Sequence, residues 1–300
     1  MILRNLTYLV ALAREGHFGR AATACHVSQP TLSAGIRTLE AELGVLLVRR
    51  ERRYEGLTPE GQRVLDWAAR VVSDVEGLRN EIVSMREGMT GHLRLGAVPT
   101  SLSAASLVTT PFHTRHPSVT VSVLSASSRQ IERGLHDFEL DIGLTYLDNE
   151  PLAGVRSLPL YRERYLLLTQ ACGELAGRRE LRWEEVAELP LALLTDDMQN
   201  RRIVDAAFAG VGASPLPSIE TNSVSTLVAH VRDGPWSSIV ATPWLRLFAV
   251  PRGVRAIPLV DPVVEHWMGL VTLDREPSPL LARAMLESAA EAGVEATLSR

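Results

Sequence analysis

The chain of 300 residues contains no lysine; all 31 of its basic residues are arginine. We read that as a coding bias rather than a functional signal. Only two cysteines occur, Cys25 and Cys172. Two cannot build a disulfide framework, which fits a reducing cytoplasm. No run approaches the ~18 consecutive apolar residues of a membrane span. The opening Met1-Ile-Leu-Arg-Asn5 lacks a basic segment followed by an apolar core and a small-residue cleavage site, so no secretory signal is expected. Fixed-period repeats and low-complexity tracts are missing as well. So are the signatures of enzymes: there is no Gly-x-Ser-x-Gly elbow, no P-loop and no His-Glu-x-x-His. Gly210-Val-Gly212 lacks the third glycine of a dinucleotide site. His113 and His116 stand three apart without a nearby carboxylate, a spacing more usual on a solvated helix. The two cysteines fall in different predicted domains, and Cys25 reads as core. The expectation is a protein that is not an enzyme and needs no cofactor or metal.

What is present is a globular balance, 46% hydrophobic and 22% charged residues, at a length suited to two or three domains. The net charge of −4 divides unevenly. Residues 1–58 hold eight arginines against five acids, and residues 88–300 hold 19 against 24. A small basic head on a larger acidic body is expected where only the head meets phosphates.

The first sixty residues read as short helices. Leu3, Leu6, Leu9, Val10 and Ala13 recur at helical spacing until Gly16. A second helix follows Phe18, its face of Ala21, Ala22 and Cys25 small enough for close packing. Ser28 can cap a third, with Pro30 tolerated in its first turn. There Leu32, Ile36, Leu39 and Leu43 make a buried stripe, and Gln29, Ser33 and Arg37 lie on another, exposed face. Val45–Val48 and Leu57 flank Arg49-Arg-Glu-Arg-Arg53, a hairpin-like segment crowded with arginine. Thr58-Pro-Glu60 then starts a longer helix. Val64, Ala68, Val71, Val75, Leu78, Ile82 and Met85 alternate in steps of four and three along it. That pattern fits self-association in a coiled coil or, alternatively, an amphipathic helix lying on its own domain. Beyond Gly91, short β-type runs (His92–Val98, Val119–Leu124, Asp141–Tyr146, Tyr165–Thr169) alternate with helical patterns, predicting βαβ units and a mostly parallel sheet.

Two short helices joined by a turn, the second exposing polar residues, form helix-turn-helix geometry. Gln can bond adenine edges bidentately and Arg guanine, while Ser serves base or phosphate. Arginines after the helix suit phosphates or a narrow minor groove. At these residues the chain resembles a known family. Phe18-Gly-Arg-Ala-Ala22, His26-Val-Ser-Gln-Pro-Thr-Leu-Ser33, Ile36-Arg-Thr-Leu-Glu40, Glu42-Leu-Gly-Val45 and Leu57-Thr-Pro-Glu-Gly61 are similar to the amino-terminal winged helix-turn-helix of LysR-type transcriptional regulators, collinear and without gaps.

The resemblance implies an α/β protein with a winged helix-turn-helix over residues 1–58, a linker helix over 59–88 and a periplasmic-binding-protein-like effector domain over 91–300. In that domain subdomain I takes residues 91–161 and 267–300, and subdomain II takes 162–266. It also implies a homodimer or homotetramer on double-stranded promoter DNA, a small polar or anionic effector and, for an activator, contact with RNA polymerase. Carried over by position, the DNA-binding residues are Gln29, Pro30, Thr31, Ser33 and Arg37, with wing residues Arg50 and Arg53. The chain departs from the family pattern at Ala34 and Gly35, where fewer base contacts are expected. It departs again at Val48, expected to pack in place of the usual Phe. The effector positions fall on Thr100 and Ser101, on Ser127 and Ser128, on Gln199 and Asn200, and on Asn222. Thr100 and Ser101 also suit plain helix capping, and Trp236 either narrows the cleft or covers the core. The competing reading is a solute-binding or metabolic protein whose helical head serves only assembly.

Overall fold

A computed structural model describes residues 2–50 and 54–299. They divide into two compact units, Met1–Glu87 and Gly88–Arg300. The first unit runs α1 (Leu3–Glu15), α2 (Phe18–Ala24), α3 (Gln29–Leu43), β1 (Val48–Arg50), β2 (Tyr54–Leu57) and α4 (Pro59–Glu87). Leu9, Leu12, Leu32, Ile36 and Leu39 form its core, and Val48 is buried with them as expected. Leu43, the predicted end of the stripe, is instead exposed. The helix stops there: Gly44 turns left-handed (φ 71°) and its N–H bonds back to the Glu40 carbonyl. Ser28 caps α3 by accepting the Thr31 N–H, and His17 caps α2 through Nδ1, taking the Gly19 and Arg20 N–H groups. Glu40 closes the other end of α3: its buried carboxylate accepts the N–H groups of Leu47 (3.0 Å) and Val48 (3.2 Å), fixing the entry to the antiparallel β1–β2 wing.

Thr58 starts α4. Its hydroxyl donates to the Leu46 carbonyl at 2.6 Å and accepts the Gly61 N–H at 2.8 Å. Val64, Ala68 and Val72 pack on the head core. Farther along, the stripe faces outward: Leu78 is 59% and Met85 80% exposed, with Ile82 between them in sequence also exposed. Val64 and Ala68 of the apolar repeat thus serve the unit's own core, joined by Val72 rather than the expected Val71, which is exposed, and Leu78, Ile82 and Met85 are left exposed.

The second unit continues β3 (Gly91–Ala97), α5 (Ala105–Arg115), β4 (Val119–Ser125), α6 (Ser128–His136), β5 (Ile142–Tyr146), β6 (Val155–Gln170), β7 (Leu181–Arg182), α7 (Trp183–Ala187), β8 (Ala192–Leu194), α8 (Gln199–Gly210), β9 (Ile219–Thr221), α9 (Val224–Asp233), β10 (Ser238–Ala241), α10 (Thr242–Phe248), β11 (Val254–Val260), β12 (Glu265–Leu273), α11 (Leu280–Glu291) and α12 (Val294–Ser299). The main sheet has the order β4-β3-β5-β12-β6-β11-β7, with β10 also on β6. It is mixed rather than mostly parallel. β3 runs parallel to β4 and β5, whereas β12 is antiparallel to both β5 and β6. The cause is the connectivity. The chain leaves the β3–β5 part of the sheet along β6 and returns to it along β12, so the two neighbours run in opposite directions.

β6 is one 16-residue strand, where the sequence pattern showed only its second half. Its first half pairs with β12, and its second half pairs with β10 and β11. This strand therefore runs through both halves of the sheet. A separate core forms around Leu168, Leu194, Leu227, Val231 and Val240. Trp236 packs against that core and does not line the cleft.

Candidate functional site

On α3, Gln29, Pro30, Thr31 and Arg37 are exposed and Ser33 is half-buried. Gln29, Ser33 and Arg37 succeed one another a turn apart, off the buried stripe. The Ser28 and Thr31 hydroxyls share a hydrogen bond at 2.8 Å, holding the first turn rigid. Gly35 is not a gap in this face. A Cβ there would meet the Tyr8 ring at 2.6 Å and Asn5 Oδ1 at 2.9 Å, so its lack of a side chain lets α1 approach α3. The side chain of Arg50 and the whole of Arg53 lie outside the described residues. Arg49, on the same wing, is exposed.

In the second unit a buried cluster of polar side chains lies about the middle of β6. Glu163 is fully buried on that strand, and its Oε1 accepts the Tyr146 hydroxyl at 2.5 Å. Tyr146 ends β5, and its oxygen is also within 3.3 Å of the Thr100 hydroxyl and accepts the Asn200 amide at 3.2 Å. Thr100 lies in the turn after β3 and Asn200 in the first turn of α8, so one phenol joins these two elements to β5. Tyr161 and Tyr165 flank Glu163 on the same face of β6, both buried. Glu163 Oε2 and the Tyr161 and Tyr165 hydroxyls lack a well-formed hydrogen bond among the described residues. Burial pushes the Glu163 carboxyl up to about 7, against the opposing pull of hydroxyl and amide donors, Tyr146 first. The Tyr146, Tyr161 and Tyr165 phenols are driven well above their usual range, chiefly by the same burial.

A second set of contacts crosses from α8 to the loop after β5. The Gln199 amide donates to the Asn149 carbonyl. Arg202 clasps Glu150 with two bonds of 2.7 and 2.5 Å, and its hydrogen bonds hold the Glu150 carboxyl below the usual range. An open cleft of about 490 Å³ lies apart from this clasp in the chain. Pro99, Leu102, Ser103 and Ser125 line one wall; Asn222, Ser223, Val224, Ser225 and Trp244 line the other.

The effector positions expected from sequence are thus distributed. Thr100 and Asn200 meet in the buried cluster, Gln199 bridges beside it, and Asn222 lines the open cleft. Ser101 donates to the carbonyls of Val98 and Leu144. Ser127 caps α6 together with Gln130. Ser128 is buried with its hydroxyl unpartnered among the described residues. Sequence reasoning did not single out Tyr146, Glu163, Tyr165, Glu150, Arg202 or Trp244. A signal for two of these, Glu163 and Tyr165, was available: Tyr161-Arg-Glu-Arg-Tyr165 alternates, and a period of two places Glu163 on the side of the tyrosines.

Comparison with known proteins matches residues 3–62 to the family model described as bacterial regulatory helix-turn-helix protein, lysR family. Residues 86–293 match the LysR substrate binding domain. The chain is 34% identical over 298 residues to the DNA-binding transcriptional dual regulator OxyR of Escherichia coli K12, covering 97% of this chain and 94% of that protein. It is 32% identical over 289 residues to the hydrogen peroxide-inducible genes activator of Pectobacterium carotovorum, covering 94% and 93%. Among solved structures, a full-length OxyR variant from Pseudomonas aeruginosa superposes with a TM-score of 0.79 at 27% identity, covering 97% of this chain and 98% of that one.

Proposed function

The chain belongs to the LysR family of bacterial transcriptional regulators, and we propose that it reads promoter DNA with the exposed face of α3 while its second unit closes on a small effector. Gln29, Thr31, Ser33 and Arg37 enter the major groove, where amide and guanidinium groups discriminate base edges; Pro30 stiffens the leading turn. Arg50 and Arg53 of the wing neutralise phosphates and supply salt-dependent affinity. The exposed half of the α4 stripe joins two copies. Pairs of dimers assemble through the acidic effector units into a homotetramer in the cytoplasm, and RNA polymerase is a further partner at activated promoters.

The observation that carries this reading is a polar, exposed helix face on a fully formed core, held by caps at both ends of α3. The solute-binding alternative has no matching support, since the head matches a DNA-binding family model over nearly its whole length. Effector control acts by differential affinity for two arrangements of the subdomains. Thr100, Gln199 and Asn200 form the inner contacts of that closure and Asn222 its outer wall; Ser101, Ser127 and Ser128 shape the turns that carry it. The effector is a small polar molecule bound without covalent chemistry. Although relatives bear the name hydrogen peroxide-inducible activator, residues 88–300 of this chain contain Cys172 as their one cysteine, so no disulfide can form within the effector unit. The test is a gel shift of the full chain on the DNA upstream of its own gene. A specific complex that weakens as salt rises supports the reading; the same low affinity for every fragment refutes it.

A further inference from the structure

We propose that Glu163 couples closure of the effector unit to the uptake of one proton: the closed form holds this carboxyl neutral, and opening releases the proton. The proposal rests on the reading that the two subdomains open and close about their shared strands.

The geometry supplies the coupling. Glu163 sits on β6, the strand common to both subdomains. Tyr146 from the first subdomain donates to it, and Asn200 from the second holds the same phenol. Opening must part Asn200 from Tyr146 and admit water to a carboxyl that is now fully buried. The groups facing Glu163 are Tyr146 from β5, Thr100 from the turn after β3, Asn200 from α8, and Tyr161 and Tyr165 from β6 itself. From β12 comes His266, its cross-strand neighbour. The His266 ring is paired through Nδ1 with Asp148 at 3.0 Å. Arg162 and Arg164, its neighbours on β6, pair instead with Glu265. An ionised carboxylate in such a buried place is costly because it has lost its water.

The sign follows from the raised value. In the closed form the carboxyl titrates at about 7 rather than 4.5. Closure is therefore favoured fully at pH below about 4.5, and that favour is lost as pH rises through about 7. The difference corresponds to at most about 300-fold in the closed-to-open ratio. His266 lies opposite Glu163 on the neighbouring strand, and the two residues are separable by substitution.

The experiment uses the full chain with Cys25→Ser and Cys172→Ser, spin-labelled at Arg133→Cys on α6 and Arg232→Cys on α9. Both positions are exposed, one on each subdomain. The distance between labels is measured from pH 5 to 8.5. The parent should move from short to long distances as pH rises. Glu163→Gln, which keeps an acceptor for Tyr146 and cannot ionise, should stay short throughout; His266→Gln should still move. A Glu163→Gln chain that moves like its parent, or a parent that does not move, overturns the proposal. Should Glu163→Gln fail to fold, infrared difference spectra of the parent decide. A protonated-carboxyl band lost in step with the distance change supports the coupling, and a distance change without that band refutes it. The effector reading fails separately, if no small polar compound alters the DNA complex while the pH-driven movement persists.

Discussion

Two glycines of α4 should respond in opposite directions to the same substitution, although both lie inside one helix. Gly77 has open space where a Cβ would stand. Gly77→Ala should therefore gain most of the helix-propensity difference, about 0.5–1 kcal/mol. At Gly61 the same Cβ would lie 2.0 Å from the Leu47 carbonyl oxygen and 2.8 Å from its carbon. That carbonyl cannot swing aside cheaply, because it accepts the Thr58 N–H at 2.9 Å, and Thr58 in turn holds Leu46. Relief means moving the entry to the wing. The loss combines an overpacking cost of about 1–3 kcal/mol with about 1–3 kcal/mol for a hydrogen bond left unmade. Set against the propensity gain, Gly61→Ala should destabilise the head by about 2–4 kcal/mol. Hydrogen exchange of head amides in the full chain, resolved by peptide, reads this directly. Exchange should speed up by roughly 30- to 700-fold in Gly61→Ala, at about 1.4 kcal/mol per tenfold, and slow modestly in Gly77→Ala. Equal protection in the two variants would show that the β1 entry does not press on the first turn of α4, and the packing argument would fail.

Other outcomes follow from the same geometry. Gln29→Ala should relax sequence preference by about 1–3 kcal/mol, whereas Arg53→Ala should weaken all sequences alike and lower the salt slope by about one; identical behaviour in binding titrations would erase the division between reading and gripping residues. Leu78→Glu with Ile82→Glu places two charges per chain on the exposed stripe of α4 and should abolish self-association through it. In sedimentation, a variant that keeps the parent's oligomeric state would show the stripe to be unused. Arg202→Ala removes a bidentate but half-exposed pair with Glu150, a contribution of about 1 kcal/mol. At fixed pH the closed-to-open ratio of the spin-labelled chain should therefore fall by about fivefold. An unchanged distribution would mean that the clasp follows closure rather than holding it.

The head was legible from sequence because its determinants are local. Caps, glycine stops and a helical apolar period lie within a few residues of what they decide, so α1 to α4 and the wing could be placed from residue spacing. Gly35 was the exception. Its meaning depends on Tyr8 and Asn5, far away in the chain, and taken alone it looked like a lost base contact rather than a packing notch. Leu43 failed for a related reason, since period does not reveal where the neighbouring helices end. In the second unit the four early β-type runs were visible, although the first half of β6 was not, and partners were not. β12 lies between β5 and β6 although β6 precedes it by more than a hundred residues, and no local signal shows that the sheet therefore becomes mixed.

The central group of the effector unit was missed through how charge is usually interpreted. Arg162-Glu-Arg164 reads as a solvated run, in which the acid pairs with its neighbours in sequence. On a strand, adjacent residues cannot pair in that way, because they point to opposite faces. Both arginines go outward to one acid on the next strand, Glu265, and Arg162 also covers the Trp267 ring at 4.7 Å. Their pairing leaves Glu163 alone among tyrosines on the buried side. The arginines thus separate the acid from its expected partners while keeping the outer face soluble. A strand with this alternation can hold an uncompensated carboxyl inside the protein without exposing apolar surface outside. A charged residue flanked at i±2 by aromatics, rather than at i±1 by opposite charges, is the pattern that marks such a group. Here it falls on the one long strand that pairs with β12 along its first half and with β10 and β11 along its second.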